Sequence, residues 1–212
     1  MQASGYPAKI KMNKNKIILD LCGGTGAWSK PYADNGYTVI NVTLPEYDVR
    51  TFKPPENVYG ILAAPPCTMF SFARTKAKTL RNLEEGFEII RACLNIIWSC
   101  MEIQQETKYK TLPLKFWALE NPNGMLKYFL GRPAFEFNPY EFGDAYKKRT
   151  MLWGWFNIPK KNSQSINPKT MKKFDMLASR DIAPEYFNKL SRQERRAITP
   201  PRFAEAFFLA NK

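Results

Sequence analysis

The chain contains no histidine. That absence excludes Cys-His and Ser-His-Asp catalysis, histidine-bound metals and imidazole acid–base chemistry, so any reactive group must be activated by other side chains or by the backbone. Cysteine is scarce as well. Cys22, Cys67, Cys93 and Cys100 form no Cys-x-x-Cys pair and no zinc-knuckle spacing, so no metal site and no disulfide framework is expected, and the thiols read as reduced. No apolar run approaches the roughly twenty residues that cross a bilayer, and no apolar signal core opens the chain. The expectation is a soluble intracellular protein, cytoplasmic or at the nucleoid, with no membrane partner. Acidic residues are also in short supply: 19 Asp and Glu face 32 Lys and Arg, a net charge of +13. This excess favours a polyanionic partner such as nucleic acid, against the plainer reading of a basic, solvated surface.

The 212 residues are 44% apolar, enough for one domain with a real core. One stretch organises the rest. Val58-Tyr59-Gly60-Ile61-Leu62-Ala63 reads as a buried strand, and Pro65-Pro66 stops any helix from continuing it, which leaves Cys67 in a loop at a strand's carboxyl end. In open α/β sheets ligands bind at that edge, so Cys67 reads as a nucleophile and not as a small buried thiol.

Upstream, a basic arm (1–16) precedes the strand Ile17-Ile18-Leu19-Asp20-Leu21, the turn Cys22-Gly23-Gly24-Thr25-Gly26 and a helix over 27–35. Glycines there let backbone approach a ligand, and the following helix offers it free N–H groups. Asp20 beside the turn would repel a pyrophosphate but hold a cationic or hydroxyl-bearing ligand, which points to S-adenosylmethionine. Gly36 stops the helix before a strand over 37–42, which ends in Thr43 where a ribose-binding acid is usual. Asp48 either meets an adenine amino group or caps a turn. Apolar residues at helical spacing from Leu80 to Met101 predict a long helix over 79–107, with Cys93 and Cys100 packed in the core.

A strand over 114–119 then ends in Glu120-Asn121-Pro122, delivering a second carboxylate beside a turn; its alternative role is to cap a helix over 125–130. Lys147-Lys148-Arg149 precedes an aromatic strand over 151–156, a mixture suited to phosphate contact and base stacking, or to core packing. A polar loop (160–167), short basic helical pieces and a closing helix that starts at Thr199-Pro200-Pro201 complete the chain. The fold class expected is α/β, a Rossmann-like, mostly parallel sheet with helices on both faces and a small C-terminal helical module. Four parts are expected: the arm (1–16), a catalytic core (17–156), a reduced basic segment (157–198) and a helix packing back on the core (199–212).

Taken in order, Asp20-Leu21-Cys22-Gly23-Gly24-Thr25-Gly26, Pro65-Pro66-Cys67, Glu120-Asn121-Pro122 and the basic motif at 147–149 resemble the cytosine-C5 DNA methyltransferase family. The resemblance implies S-adenosylmethionine as cofactor, held by Asp20, Leu21, Gly24, Thr25, Gly26, Trp28, Thr43, Asp48, Val49 and Pro65. It implies DNA as partner, Cys67 as nucleophile, and Glu120, Asn121 and Arg149 around the target base. Thr68 stands where the family has glutamine, Glu-Asn-Pro where it has Glu-Asn-Val, and Thr199-Pro200-Pro201 where it has Gly-Asn-Ser. About fifty residues separate Arg149 from Thr199, too few for a full target-recognition domain. RNA or a free cytosine nucleotide is therefore a rival substrate, and a basic nucleic-acid-binding protein without turnover a rival function.

Overall fold

Period-two alternation along each strand decides how the sheet is covered. The computed structural model describes residues 13–74, 77–106, 114–162 and 171–212. Its strands are β1 Ile17–Leu21, β2 Thr38–Val42, β3 Val58–Ala63, β4 Phe116–Pro122, β5 Phe135–Phe137 and β6 Thr150–Trp155. They form one mixed sheet in the order β2-β1-β3-β4-β6-β5. The first four run parallel, β6 runs antiparallel to β4, and β5 antiparallel to β6. The expected α/β class thus holds, with a parallel half and an antiparallel margin.

Helices cover both faces. Leu19, Leu21, Ile61, Ala63, Leu119 and Met151 pack against Ile90, Cys93, Ile97 and Cys100 of α2, Leu83–Glu106. Ile18, Leu62, Phe116, Ala118 and Leu152 face Tyr32 of α1, Lys30–Asp34, and Phe203, Phe207 and Phe208 of α5, Pro201–Asn211. Burying each such aromatic is worth about 1.5–3 kcal/mol, so these two layers hold the sheet. Gly60 is what lets Phe116 lie flat on β3, since a Cβ there would sit 2.2 Å from Phe116 Cζ. Asn211 clamps the end of α5 to the chain beyond β6: its Oδ1 accepts from Asn157 N at 2.8 Å, and its Nδ2 donates to Asn157 O at 3.0 Å.

Several boundaries differ from expectation for local reasons. The long helix starts at Leu83 because Asn82 Oδ1 accepts from Glu85 N (3.1 Å) and caps it, which leaves Leu80 outside the helix and 94% exposed. Cys93 and Cys100 are buried in the core as expected. β4 runs on through Glu120, Asn121 and Pro122 because all three pair with β6. β5 is a three-residue strand that follows Pro133 and was not expected. Residues 1–12 of the basic arm and 163–167 of the polar loop, with 168–170 after it, lie outside the described residues.

The segment 171–198 holds three 3-10 turns, Phe174–Met176, Ser179–Asp181 and Pro184–Tyr186, and then α4, Arg192–Ala197. It is built on Arg195, a buried guanidinium that donates to the carbonyls of Ser179, Ile182 and Leu190 and lies over the Phe187 ring. It docks at the start of β6, where Lys147 N donates to Lys172 O (3.0 Å) and Phe174 N to Lys147 O (2.8 Å). Among the described residues no helix is long and apolar enough to cross a membrane, and no group of three His, Cys, Asp or Glu could hold a metal ion.

Candidate active site

The four parallel strands bring their carboxyl ends to one edge. The chain leaves β1 for β2 on one side and returns to β3 on the other, so the crevice above β1 and β3 is the topological switch point, where open α/β sheets take ligands. The glycine turn follows β1 there, the Cys67 loop follows β3 and Glu120 closes β4. Because β6 is antiparallel it begins at this edge, which places Lys148 and Arg149 beside the others.

Backbone and amide bonds tie these loops together. Asn121 Nδ2 donates to Pro65 O (3.1 Å), Met125 N to Phe70 O (2.8 Å) and Asn123 N to Arg149 O (2.8 Å). Cys67 opens a single turn, its carbonyl accepting from Phe70 N at 3.0 Å and Ser71 N at 2.8 Å. Arg81 holds the outer side of that turn by donating to Met69 O (2.7 Å) and Ser71 O (2.9 Å). From the C-terminal segment, Gln193 Nε2 reaches Thr68 Oγ1 at 3.4 Å. Gly124 is required where the loops meet, since a Cβ on it would lie 2.3 Å from Phe70 O.

Burial pushes the Cys67 thiol up from its ordinary value; Lys148 opposes the rise, Glu120 adds to it, and the Cys67 backbone N–H and Arg196 oppose it. Glu120 is itself raised by burial, against the pull of Lys148. Cys67, Glu120 and Lys148 therefore share one electrostatic environment. Lys148 is fixed in it by donating from Nζ to Arg196 O at 3.1 Å.

Arg149 goes elsewhere. Its side chain pairs with Glu136 of β5 at 2.5 Å and is about half exposed. The register explains the exchange. Glu120 opposes Leu152 and Pro122 opposes Thr150, and opposed residues share a face, so alternation from Leu152 through Thr150 puts Lys148 on the Glu120 side. Arg149 falls on the face of Met151, whose partner in β5 is Glu136. Parity counted back from the aromatic strand separates the two, and the pairing with β4 decides which of them shares the face of Glu120. Asn121, buried on the other face, positions the Cys67 loop through its Nδ2 on Pro65 O, while its Oδ1 is buried without a hydrogen bond.

The glycine turn lies above a cluster of unpaired acceptors. Neither oxygen of the buried Asp20 carboxylate completes a hydrogen bond, nor does Asn41 Oδ1. A Cβ on Gly23 would meet Asp20 Cγ at 2.4 Å and Asn41 Oδ1 at 2.5 Å. Burial pushes Asp20 up to about 6, and Ser29 offsets only part of that. Asn41 Nδ2 fixes the turn by donating to Gly24 O (2.9 Å), while a Cβ on Gly24 would meet nothing within 4 Å. Open backbone above and acceptors below suit a ligand rich in donors or positive charge; a phosphate would be repelled.

The other residues expected at the cofactor divide. Thr25 is exposed on the turn beside Gly24 and Gly26. Leu21 and Val49 are core residues, and Trp28 packs between Phe203 and Phe207 with its Nε1 buried and unpaired. Thr43 lies half-buried past the end of β2, its carbonyl accepting from Tyr47 N at 3.0 Å. Asp48 caps a turn: it accepts from Arg50 N and pairs with the Arg50 guanidinium, which lowers its carboxyl to about 2. Pro65 gives its carbonyl to Asn121. Lys148, which lies within the basic motif but is given no role of its own by the resemblance, and Arg196 are the charged groups that favour ionisation of the thiol. A scan against protein-family models finds no match for the chain, and a search of the curated proteins finds none either.

Proposed function

We propose that the chain transfers a methyl group from S-adenosylmethionine to C5 of cytosine in DNA through a covalent bond to Cys67. The observation that carries the proposal is the convergence of Cys67, Glu120 and Lys148 beside a glycine turn underlain by unpaired acceptors. The parallel half of the sheet, with helices on both faces, is the arrangement of a Rossmann-like fold.

Cytosine C5 is a weak nucleophile until a group adds at C6, and a thiolate is the side chain best suited to add and later leave. Burial keeps the Cys67 thiol protonated at rest, and it gives its proton to solvent water before it adds. A positive Lys148 and a neutral Glu120 both favour its ionisation, so protonation of Glu120 and activation of the thiol act in the same direction. Burial favours the Glu120 acid, the form able to donate a proton to pyrimidine N3 as the thiolate adds. Asp20 and the turn would hold S-adenosylmethionine, which supplies an electrophilic methyl group when bound. Once C5 is methylated, solvent water takes its proton, the elimination expels the Cys67 thiolate and restores the aromatic ring, and N3 returns its proton to Glu120. Base and thiol meet only if the cytosine leaves its stack, at a cost of a few kcal/mol in a duplex.

Tritium transfer from labelled cofactor to DNA, RNA and a free cytosine nucleotide tests the proposal. DNA is expected to be labelled, and Cys67→Ser to abolish labelling while retaining cofactor binding. DNA carrying 5-fluorocytosine, which cannot lose a C5 proton, should trap a protein adduct absent from Cys67→Ser. Labelling of RNA or nucleotide alone would reassign the substrate, and no labelling of any would remove the activity.

A further inference from the structure

We propose that Phe72 and Tyr128, with Lys127 between them, form a stacking platform for a base next to the target, and that the strand this site engages is single-stranded DNA. The inference rests on the methyltransferase reading for its target base but on a different part of the surface. Phe72 lies five residues past Cys67 on the same loop, and its N–H reaches back to Asn123 O at 3.4 Å. Tyr128 belongs to α3, Lys127–Leu130, which follows β4 after the turn at 123–126. One ring thus sits on the Cys67 loop and the other on the short helix that follows the Glu120 strand.

Their exposure needs a reason. Phe72 is 41% exposed and Tyr128 69%, with centroids 6.4 Å apart and planes at 55°. The adjacent Phe129, itself 50% exposed, instead meets Phe87 of α2 edge-on at 4.7 Å. Phe72 and Tyr128 are the pair that share one cation. Lys127 Nζ stands 5.6 Å from the Phe72 centroid and 5.4 Å from that of Tyr128. An exposed cation–π contact of this kind is worth a factor of about two to five, whereas a base stacked on an aromatic ring contributes about 5- to 150-fold. A base therefore displaces the lysine, which is left at the platform's edge to meet the adjoining phosphate. Two exposed rings sharing one cation match a nucleotide; a purely apolar protein face would bury that charge unpaired. The net charge of +13 favours the same choice.

Strandedness follows from stacking. In a duplex both faces of every internal base are already covered, so two exposed rings gain little, while an unpaired strand offers free faces. Extruding the target toward Cys67 also costs least in a strand that is already unpaired.

Fluorescence anisotropy with a labelled 12-nucleotide cytosine-containing strand and the matching duplex tests this on the full chain. The single strand should bind about tenfold or more tighter than the duplex. Tyr128→Ala and Phe72→Ala should each weaken single-strand binding about 5- to 30-fold, with Tyr128→Trp restoring it. Lys127→Ala should flatten the log–log salt dependence by about 0.7. Equal or tighter duplex binding, alanine variants that bind like the parent, or a Tyr128→Ala loss that Tyr128→Trp does not restore would overturn the platform. Tritium transfer on the same samples separates the two proposals. Labelling of duplex that is indifferent to both rings overturns the platform and leaves the methyltransferase; ring-dependent strand binding without labelling upholds the platform and removes the methyltransferase.

Discussion

Replacing Asp20 with asparagine should make the protein more stable at neutral pH and less able to bind its cofactor. Asp20 is fully buried, both of its oxygens lack hydrogen bonds, and burial raises its carboxyl from 3.8 to about 6. A folded-state value above the unfolded one means that folding favours the proton. The stability this group contributes is whole below about pH 3.8 and is lost as pH rises through about 6. At about 1.4 kcal/mol per tenfold change in proton affinity, the charged carboxylate costs the folded state about 3 kcal/mol at pH 7.5. Asparagine keeps the shape and carries no charge, so Asp20→Asn should recover up to that amount at pH 7.5 and almost none of it at pH 4. In urea, at about 1–3 kcal/mol per molar, the midpoint should rise by about 1–3 M at the higher pH. Asp144, also pushed up to about 6 by burial, titrates in the same window in both proteins, so the difference between variant and parent isolates Asp20. A variant no more stable than the parent at pH 7.5, or one that gains equally at both pH values, would refute the reasoning. Calorimetric titration of S-adenosylmethionine on the stabilised variant should show weakened binding.

Glu120→Gln should lower turnover by about 10²- to 10⁴-fold in the tritium assay, the span usual for a positioned acid or base. The same change removes a negative neighbour and should shift alkylation of Cys67 by iodoacetamide to lower pH; Lys148→Met should shift it to higher pH, with peptide mass spectrometry reporting the site. Gly124→Ala drives a Cβ against Phe70 O and should cost about 1–3 kcal/mol or more, read as a lowered Tm together with loss of the 5-fluorocytosine adduct.

Much of the parallel half was legible because its signals are local. Val58–Ala63 is an uninterrupted apolar run stopped by two prolines, and the observed strand keeps those bounds. The Asp20 strand and its glycine turn are equally self-contained. What was hidden depends on pairing. β5 is three residues long, and only its partner β6 makes it a strand. The extension of β4 through Pro122 has the same origin. At the site, motif order brings out Cys67 and Glu120, but the choice between Lys148 and Arg149 needs a register that one sequence does not print. Asp48 and Trp28 sit at the expected places along the chain, yet Arg50 and the aromatic face of α5 claim their side chains.

The bonds from Asn121 to Pro65, Asn123 to Arg149 and Met125 to Phe70 have a consequence for anyone altering this protein. Nucleophile, acid and basic strand are fastened to one another by these bonds, so they form a single component. A loop exchanged alone would arrive without its fasteners and lose register. Substitutions in any two of the three should combine non-additively, so that the second costs far less once the first has loosened the joint. Grafting this chemistry onto another scaffold would mean carrying all three pieces across at once.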